Sequence, residues 1–119
     1  MYRILLKSKI HRAKVTDANL EYEGSISIDE DLLEKARILP YEKVNIWDIN
    51  NGNRLETYAI PSVGHSGDVI VNGAASRLVR TGDIIIIATF GLYDEDELND
   101  FKPALIYVDE KNRIKDAVK

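Results

Sequence analysis

Apolar and polar residues alternate, or apolar residues run together, in short stretches separated by turn residues along most of this chain. Ser25-Ile26-Ser27-Ile28 has the two-residue period of a half-buried strand. Arg3 to Leu6 and Ile10 to Thr16 are predicted as strands that open the fold. Asp29 is a good N-cap, followed by Glu30 and Asp31 in the first turn, where the helix dipole favours acids. Leu32, Leu33 and Ala36 then share one helical face, and Pro40 is expected to stop the helix. Lys43 to Ile49 and Arg54 to Ile60 flank Asn50-Asn51-Gly52-Asn53, a hairpin signal because Asn and Gly tolerate positive φ.

Val63 to Gly67 reads as a loop, Asp68 to Val71 as a short strand and Asn72-Gly73 as a turn. One or two helical turns are expected within Gly73 to Val79. Asp83 to Phe90 holds four consecutive isoleucines, a pattern that suits a strand buried on both faces. A short acidic helix is expected over Asp94 to Asp100, then a strand from Ala104 to Val108. Many short strands with one or two short helices make the chain mainly β and suggest a closed or nearly closed barrel.

At 119 residues the chain is expected to form a single domain, 1–119, with a modest core that self-association would supplement. A net charge of −4 argues against a nucleic-acid binder, although a local pair of cations can still hold an anionic substrate. The absence of cysteine removes disulfides, thiol catalysis and zinc-thiolate sites. No apolar run reaches bilayer length and the first residues do not read as a signal peptide, so a cytoplasmic location without a membrane partner is expected.

The most pointed chemistry lies at Tyr22-Glu23-Gly24-Ser25. Glycine carries no Cβ, so the Ser25 hydroxyl can approach the Gly24 carbonyl with little obstruction. Attack there turns the peptide into an ester, and elimination and hydrolysis leave a ketone-capped N-terminus, a pyruvoyl group. No Gly-x-Ser-x-Gly elbow surrounds Ser25, so a hydrolase nucleophile is not indicated. The plain structural alternative is a serine that starts a strand.

Lys9-Ile10-His11-Arg12-Ala13-Lys14-Val15-Thr16, Tyr22-Glu23-Gly24-Ser25, Asn51-Gly52-Asn53-Arg54-Leu55-Glu56-Thr57-Tyr58 and Val71-Asn72-Gly73-Ala74-Ala75 occur in this order. Together they closely resemble the aspartate decarboxylases, small pyruvoyl enzymes that make β-alanine for pantothenate synthesis. The resemblance runs from Met1 to about Tyr107 and narrows the barrel to a double-psi β-barrel. It implies self-cleavage between Gly24 and Ser25 into residues 1–24 (β chain) and 25–119 (α chain). It also implies a homotetramer with sites at subunit interfaces, and maturation with or without a helper protein.

Decarboxylating an α-amino acid leaves electron density that needs a sink. A Schiff base between the substrate amine and the pyruvoyl ketone supplies one without pyridoxal phosphate or a metal. The resemblance makes Lys9 and Arg54 the cations for the two carboxylates of L-aspartate, with the forked arginine better suited to the retained β-carboxylate. Tyr58, four residues after Arg54 and hence on the same strand face, becomes the proton donor. The family's threonine matching Thr57 binds substrate and assists cleavage by hydrogen bonding to the tetrahedral intermediate. In a regular strand Thr57 faces away from Tyr58, which is awkward for a shared site unless the strand is twisted or bulged there.

Asn72, Gly73, Ala74 and Ala75 offer a side-chain amide and approachable backbone for a carboxylate, against the plainer reading of an Asn-Gly turn. Ser76 departs from the family's usual alanine. His11 and Tyr22 match positions near the family's active site, whereas His65 has no matching partner, and the acidic run Asp94 to Glu97 reads as a solvated helix start. Two other functions compete: a non-catalytic barrel that binds a partner, and a decarboxylase of another acidic amino acid. The full set of motif residues disfavours the first, and turnover of aspartate against glutamate separates the second.

Overall fold

A computed structural model describes residues 1–115. The elements in chain order are β1 (Tyr2–Lys14), β2 (Asp17–Asn19), β3 (Ser25–Asp29), α1 (Glu30–Ala36), β4 (Lys43–Asp48), β5 (Arg54–Ser62), β6 (Val69–Asn72), β7 (Ile84–Asp94) and β8 (Ala104–Tyr107). Two 3₁₀ turns, Gly73–Arg77 and Glu95–Glu97, complete them. The chain is mainly β. Its eight strands form one mixed sheet in the order β2-β6-β3-β5-β4-β7-β1-β8.

Three of the seven pairings are parallel, β1 with β8, β2 with β6 and β3 with β5. The sheet wraps one apolar cluster that includes Ile10, Ile26, Ile28, Val44, Ile46, Val69, Val71, Ile85 and Ile87. This arrangement fits the double-psi β-barrel, although β2 and β8 remain sheet ends that no backbone ladder joins. Asn112 helps close the wall instead: buried, it donates to the carbonyls of Lys14 and Gly67 and accepts from the Lys14 amide, each at 2.8 Å.

Several expectations are corrected. The two opening strands are one, β1, whose register with β7 shifts between Leu6 and Ser8 and again between Ile10 and Ala13. Bulges at those points break the two-residue pattern without ending the strand. The short β2 carries no strand signal of its own and exists through pairing with β6. In β7, Ile85 and Ile87 are fully buried while Ile84 and Ile86 are half-buried, so the isoleucine run alternates rather than burying both faces.

Asp29 caps α1 as expected, accepting from the Asp31 amide at 2.8 Å and also from those of His65 and Gly67. The helix ends before Pro40 can act, because Arg37 takes a left-handed conformation at φ 58° and closes the last turn. The acidic segment forms only the turn Glu95–Glu97, with Asp94 and Glu97 in a reciprocal capping box. The β4–β5 hairpin forms around Asn50 to Asn53 as read from sequence, with Gly52 at φ 78°.

Candidate active site

The residues of the Gly24-Ser25 and Asn72-Gly73 motifs come together because β3 and β6 pair antiparallel, with Ser25 opposite Asn72. Ser25 is 2% exposed. The Asn72 side-chain amide does not cap the 3₁₀ turn that follows it. It turns back across the ladder and donates to Ser25 Oγ at 3.2 Å and to Ser27 Oγ at 3.1 Å. Asn72 Oδ1 is buried without a hydrogen-bond donor. An unmet buried acceptor costs roughly 1–3 kcal/mol, and this one lies beside Ser25 with capacity for a further donor.

Gly73 lies against the backbone N and Cα of Gly24. It adopts φ 68°, and a Cβ placed on it would stand 2.7 Å from both the N and Cα of Gly24 and 2.9 Å from the Tyr22 carbonyl oxygen. Only glycine combines that backbone conformation with that approach. Beside Gly24 itself the space is open. Ser76 Oγ donates to the Gly73 carbonyl at 2.7 Å, so the residue that departs from the family pattern braces the turn. Ala74 is exposed and Ala75 half-buried against the core. Tyr22 contributes its carbonyl to this cluster, while its ring is exposed.

The strand β5 carries the other candidates. Its register with β4 runs unbroken from Trp47 opposite Arg54 to Lys43 opposite Tyr58. Arg54 and Tyr58 therefore share a face, and Thr57 points to the other one. No bulge interrupts the β4–β5 ladder at Thr57. Tyr58 lies one step before the Ile26–Ala59 pair in the parallel β3–β5 ladder, level with Ser25. Its ring stacks on Tyr41, centroids 6.2 Å apart.

The Arg54 guanidinium sits over the Trp47 ring, 4.4 Å from its centroid. Both line a surface cavity of about 430 Å³ with Asn45, Leu55, Glu56 and Phe90. Glu56 pairs with Lys43 rather than with Arg54. Among the described residues neither Arg54 nor Lys9 forms an ion pair with an acidic side chain. Trp47, opposite Arg54 across the Asn50–Asn53 turn, supplies the ring beneath the guanidinium, a pairing that counting back across the hairpin from Arg54 makes legible in the chain.

Lys9 and His11 stand apart from this group within one chain. Lys9 pairs with Ala88 on β7 and Leu105 on β8, so β5, β4 and β7 intervene between its strand and that of Ser25. His11 packs edge-on against Tyr107, and its buried Nδ1 has no partner. Burial, then the Lys9 and Arg12 charges, lower its pKa and keep the imidazole neutral at physiological pH. Among the described residues no group of three His, Asp or Glu side chains stands close enough to share a metal ion, and no helix is long and apolar enough to cross a membrane.

Comparison with known proteins matches the geometry. The family model for aspartate decarboxylase covers residues 1–115. The aspartate 1-decarboxylase of Syntrophus aciditrophicus is 56% identical over 115 residues, 97% of this chain and 99% of that protein. Those of a Hydrogenobaculum species and of Acetivibrio thermocellus are 57% and 56% identical, each over 96% of this chain and 90% of theirs. With matches of this extent on both sides, the chain belongs to the aspartate decarboxylase family.

Proposed function

We propose that the chain cleaves itself between Gly24 and Ser25 and then converts L-aspartate to β-alanine and carbon dioxide, feeding pantothenate synthesis. Membership of the family supports the reaction. The observation that carries the self-processing is the Asn72 amide on Ser25 Oγ at 3.2 Å, beside the close approach of Gly73 to Gly24. The donor set fits a pyruvoyl group at position 25, because an amide N–H that donates to a hydroxyl oxygen donates equally to a ketone oxygen. That group supplies the electron sink for decarboxylation. The reading needs neither pyridoxal phosphate nor a metal.

Each remaining role falls to a side chain. Arg54, stacked on Trp47 and without an acidic partner, binds the retained carboxylate as a fork. The unmet Asn72 Oδ1 accepts a substrate N–H, and the Gly73-Ala74-Ala75 backbone completes the cradle. Tyr58, level with Ser25, returns the proton once carbon dioxide has left. Thr57 assists cleavage on the strength of the resemblance, although its face is opposite to that of Tyr58.

Three strands separate the strand of Lys9 from β3, which favours a homotetramer whose sites combine neighbouring chains. His11 then enters as a neutral group near the pocket edge. A cytoplasmic location and an optional maturation helper belong to the same reading.

A denaturing mass spectrum of the purified protein tests it. Two fragments are expected, residues 1–24 and 25–119, the larger lighter by one ammonia than hydrolysis alone would leave. Turnover of aspartate should exceed that of glutamate. An intact chain that resists prolonged warming would overturn the proposal in favour of a partner-binding barrel.

A further inference from the structure

Between β4 and β5 three asparagines crowd one turn, and their oxygens and nitrogens serve different ends. Asn50 Oδ1 accepts the Ile84 amide and Asn51 Oδ1 accepts the Asn53 amide, both at 2.8 Å, which shapes and seats the turn. The side-chain nitrogens reach further. Asn51 Nδ2 donates to the Leu78 carbonyl at 3.0 Å and Asn53 Nδ2 to the same oxygen at 2.9 Å. A carbonyl has two lone pairs, so Leu78 O is saturated by this turn alone.

Leu78 closes the 3₁₀ turn that starts after Asn72, and Asn53 immediately precedes Arg54. The two segments read here as binding substrate therefore share a second connection. In the sheet β5 and β6 are not neighbours, because β3 lies between them. The twin amide clasp spans from the start of β5 to the end of the turn after β6. It ties the backbone leading into Arg54 to the backbone that ends the Gly73–Arg77 turn.

We propose that Asn51 and Asn53 are positioning residues for the substrate, acting through Leu78 to hold the Asn72–Ala75 cradle at the correct distance from Arg54. The inference rests on the proposed reading of those two segments as substrate-binding. The clasp sits in exposed surroundings, with Asn51 and Leu78 both open to solvent, so water can replace its hydrogen bonds at little cost to the fold. A mere structural pin would thus be weak. A geometric constraint between two binding groups is costly to lose, because misplacing one spends binding energy on reordering.

The test is the double variant Asn51→Asp/Asn53→Ala in the full, self-processed chain. Asn51→Asp retains the oxygen that accepts from the Asn53 amide and removes only the donor to Leu78. Asn51→Ala/Asn53→Ala controls for the added charge. Both should raise KM for L-aspartate about fivefold, the loss expected when roughly one net hydrogen bond's worth of alignment is removed, with kcat within about twofold. Cleavage at Gly24 should remain complete.

An unchanged KM, or a joint loss of kcat and melting temperature with KM unaltered, would overturn the assignment. Amide hydrogen exchange over residues 73–78 reads the clasp without substrate. Faster exchange in both variants supports it, and wild-type exchange overturns it whatever the activity. A wild-type chain that processes but does not turn over aspartate would instead count against the functional reading.

Discussion

A Cβ on Gly73 would stand 2.7 Å from the backbone N and Cα of Gly24, so the turn after β6 is pressed directly onto the residue before Ser25. Neither residue is close to the other in sequence, and each belongs to a motif that in isolation is an ordinary loop signal. Gly73→Ala should therefore injure processing more than its modest size suggests. Left-handed backbone for alanine costs about 1–2 kcal/mol, and crowding against fixed backbone about 1–3 more. Urea denaturation and the rate of fragment appearance read both effects. Wild-type stability with wild-type cleavage would contradict this account of the close approach.

Asn72 is the sole side-chain donor to Ser25 Oγ among the described hydrogen bonds. Asn72→Ala should slow cleavage by at least about tenfold, the lower end of what a lost preorganised donor costs in acyl transfer. Ser25→Ala should abolish cleavage and activity while leaving the circular dichroism spectrum unchanged. Cleaved protein from Ser25→Ala would end the mechanism.

The Trp47 ring underlies Arg54 at 4.4 Å. Trp47→Leu should raise KM for aspartate by about two- to fivefold, the size of a partly exposed cation–π contact. Arg54→Lys should cost more, because the fork is lost along with the planar stacking. Steady-state kinetics on the matured protein decide both, and an Arg54→Lys variant with unaltered KM would remove Arg54 from substrate binding.

Asp48 and Asp83 form a second, separate polar pair below the hairpin turn. Burial, then a hydrogen bond to Asp83, pushes the Asp48 carboxyl up to about 6, while that same bond holds Asp83 below its usual range. Asp48 Oδ2 is buried and has no hydrogen-bond partner, so the ionised form gains nothing there to offset its desolvation. Because folding raises the Asp48 pKa, its contribution is complete below the ordinary carboxylate value and is lost as pH climbs through about 6. Asp83 works in the opposite sense, contributing above the ordinary value and losing it as pH falls.

Asp48→Asn keeps a donor toward Asp83 at every pH. It should gain in melting temperature relative to wild type between pH 5 and about 7.5, and the difference cancels other titrations such as that of His11. Parallel melting curves across that range would show that the two carboxyls do not share a proton.

The hairpin at Asn50–Asn53, the Asp29 cap and the shared face of Arg54 and Tyr58 were legible in the chain because each depends on neighbours within a few residues. Turn conformation, capping and strand alternation are local physics. The same local reading stumbled where long-range pairing took over. Bulges joined two expected strands into β1, Arg37 ended α1 ahead of Pro40, and the isoleucines of β7 alternated between core and half-buried positions. Thr57 stayed on the regular strand face because β4 holds β5 in unbroken register.

Sequence alone placed the chain in its family and marked the candidate site residues, since four motifs in order are a property of the string. The tertiary structure decided which of them meet. Antiparallel pairing of β3 with β6 put Asn72 on Ser25 and Gly73 on Gly24, and the β4–β5 register put Trp47 under Arg54. It also left three strands between Lys9 and Ser25. Residue type is written locally, but proximity across a mixed sheet depends on strand order and register, which arise only when distant apolar positions close on one core.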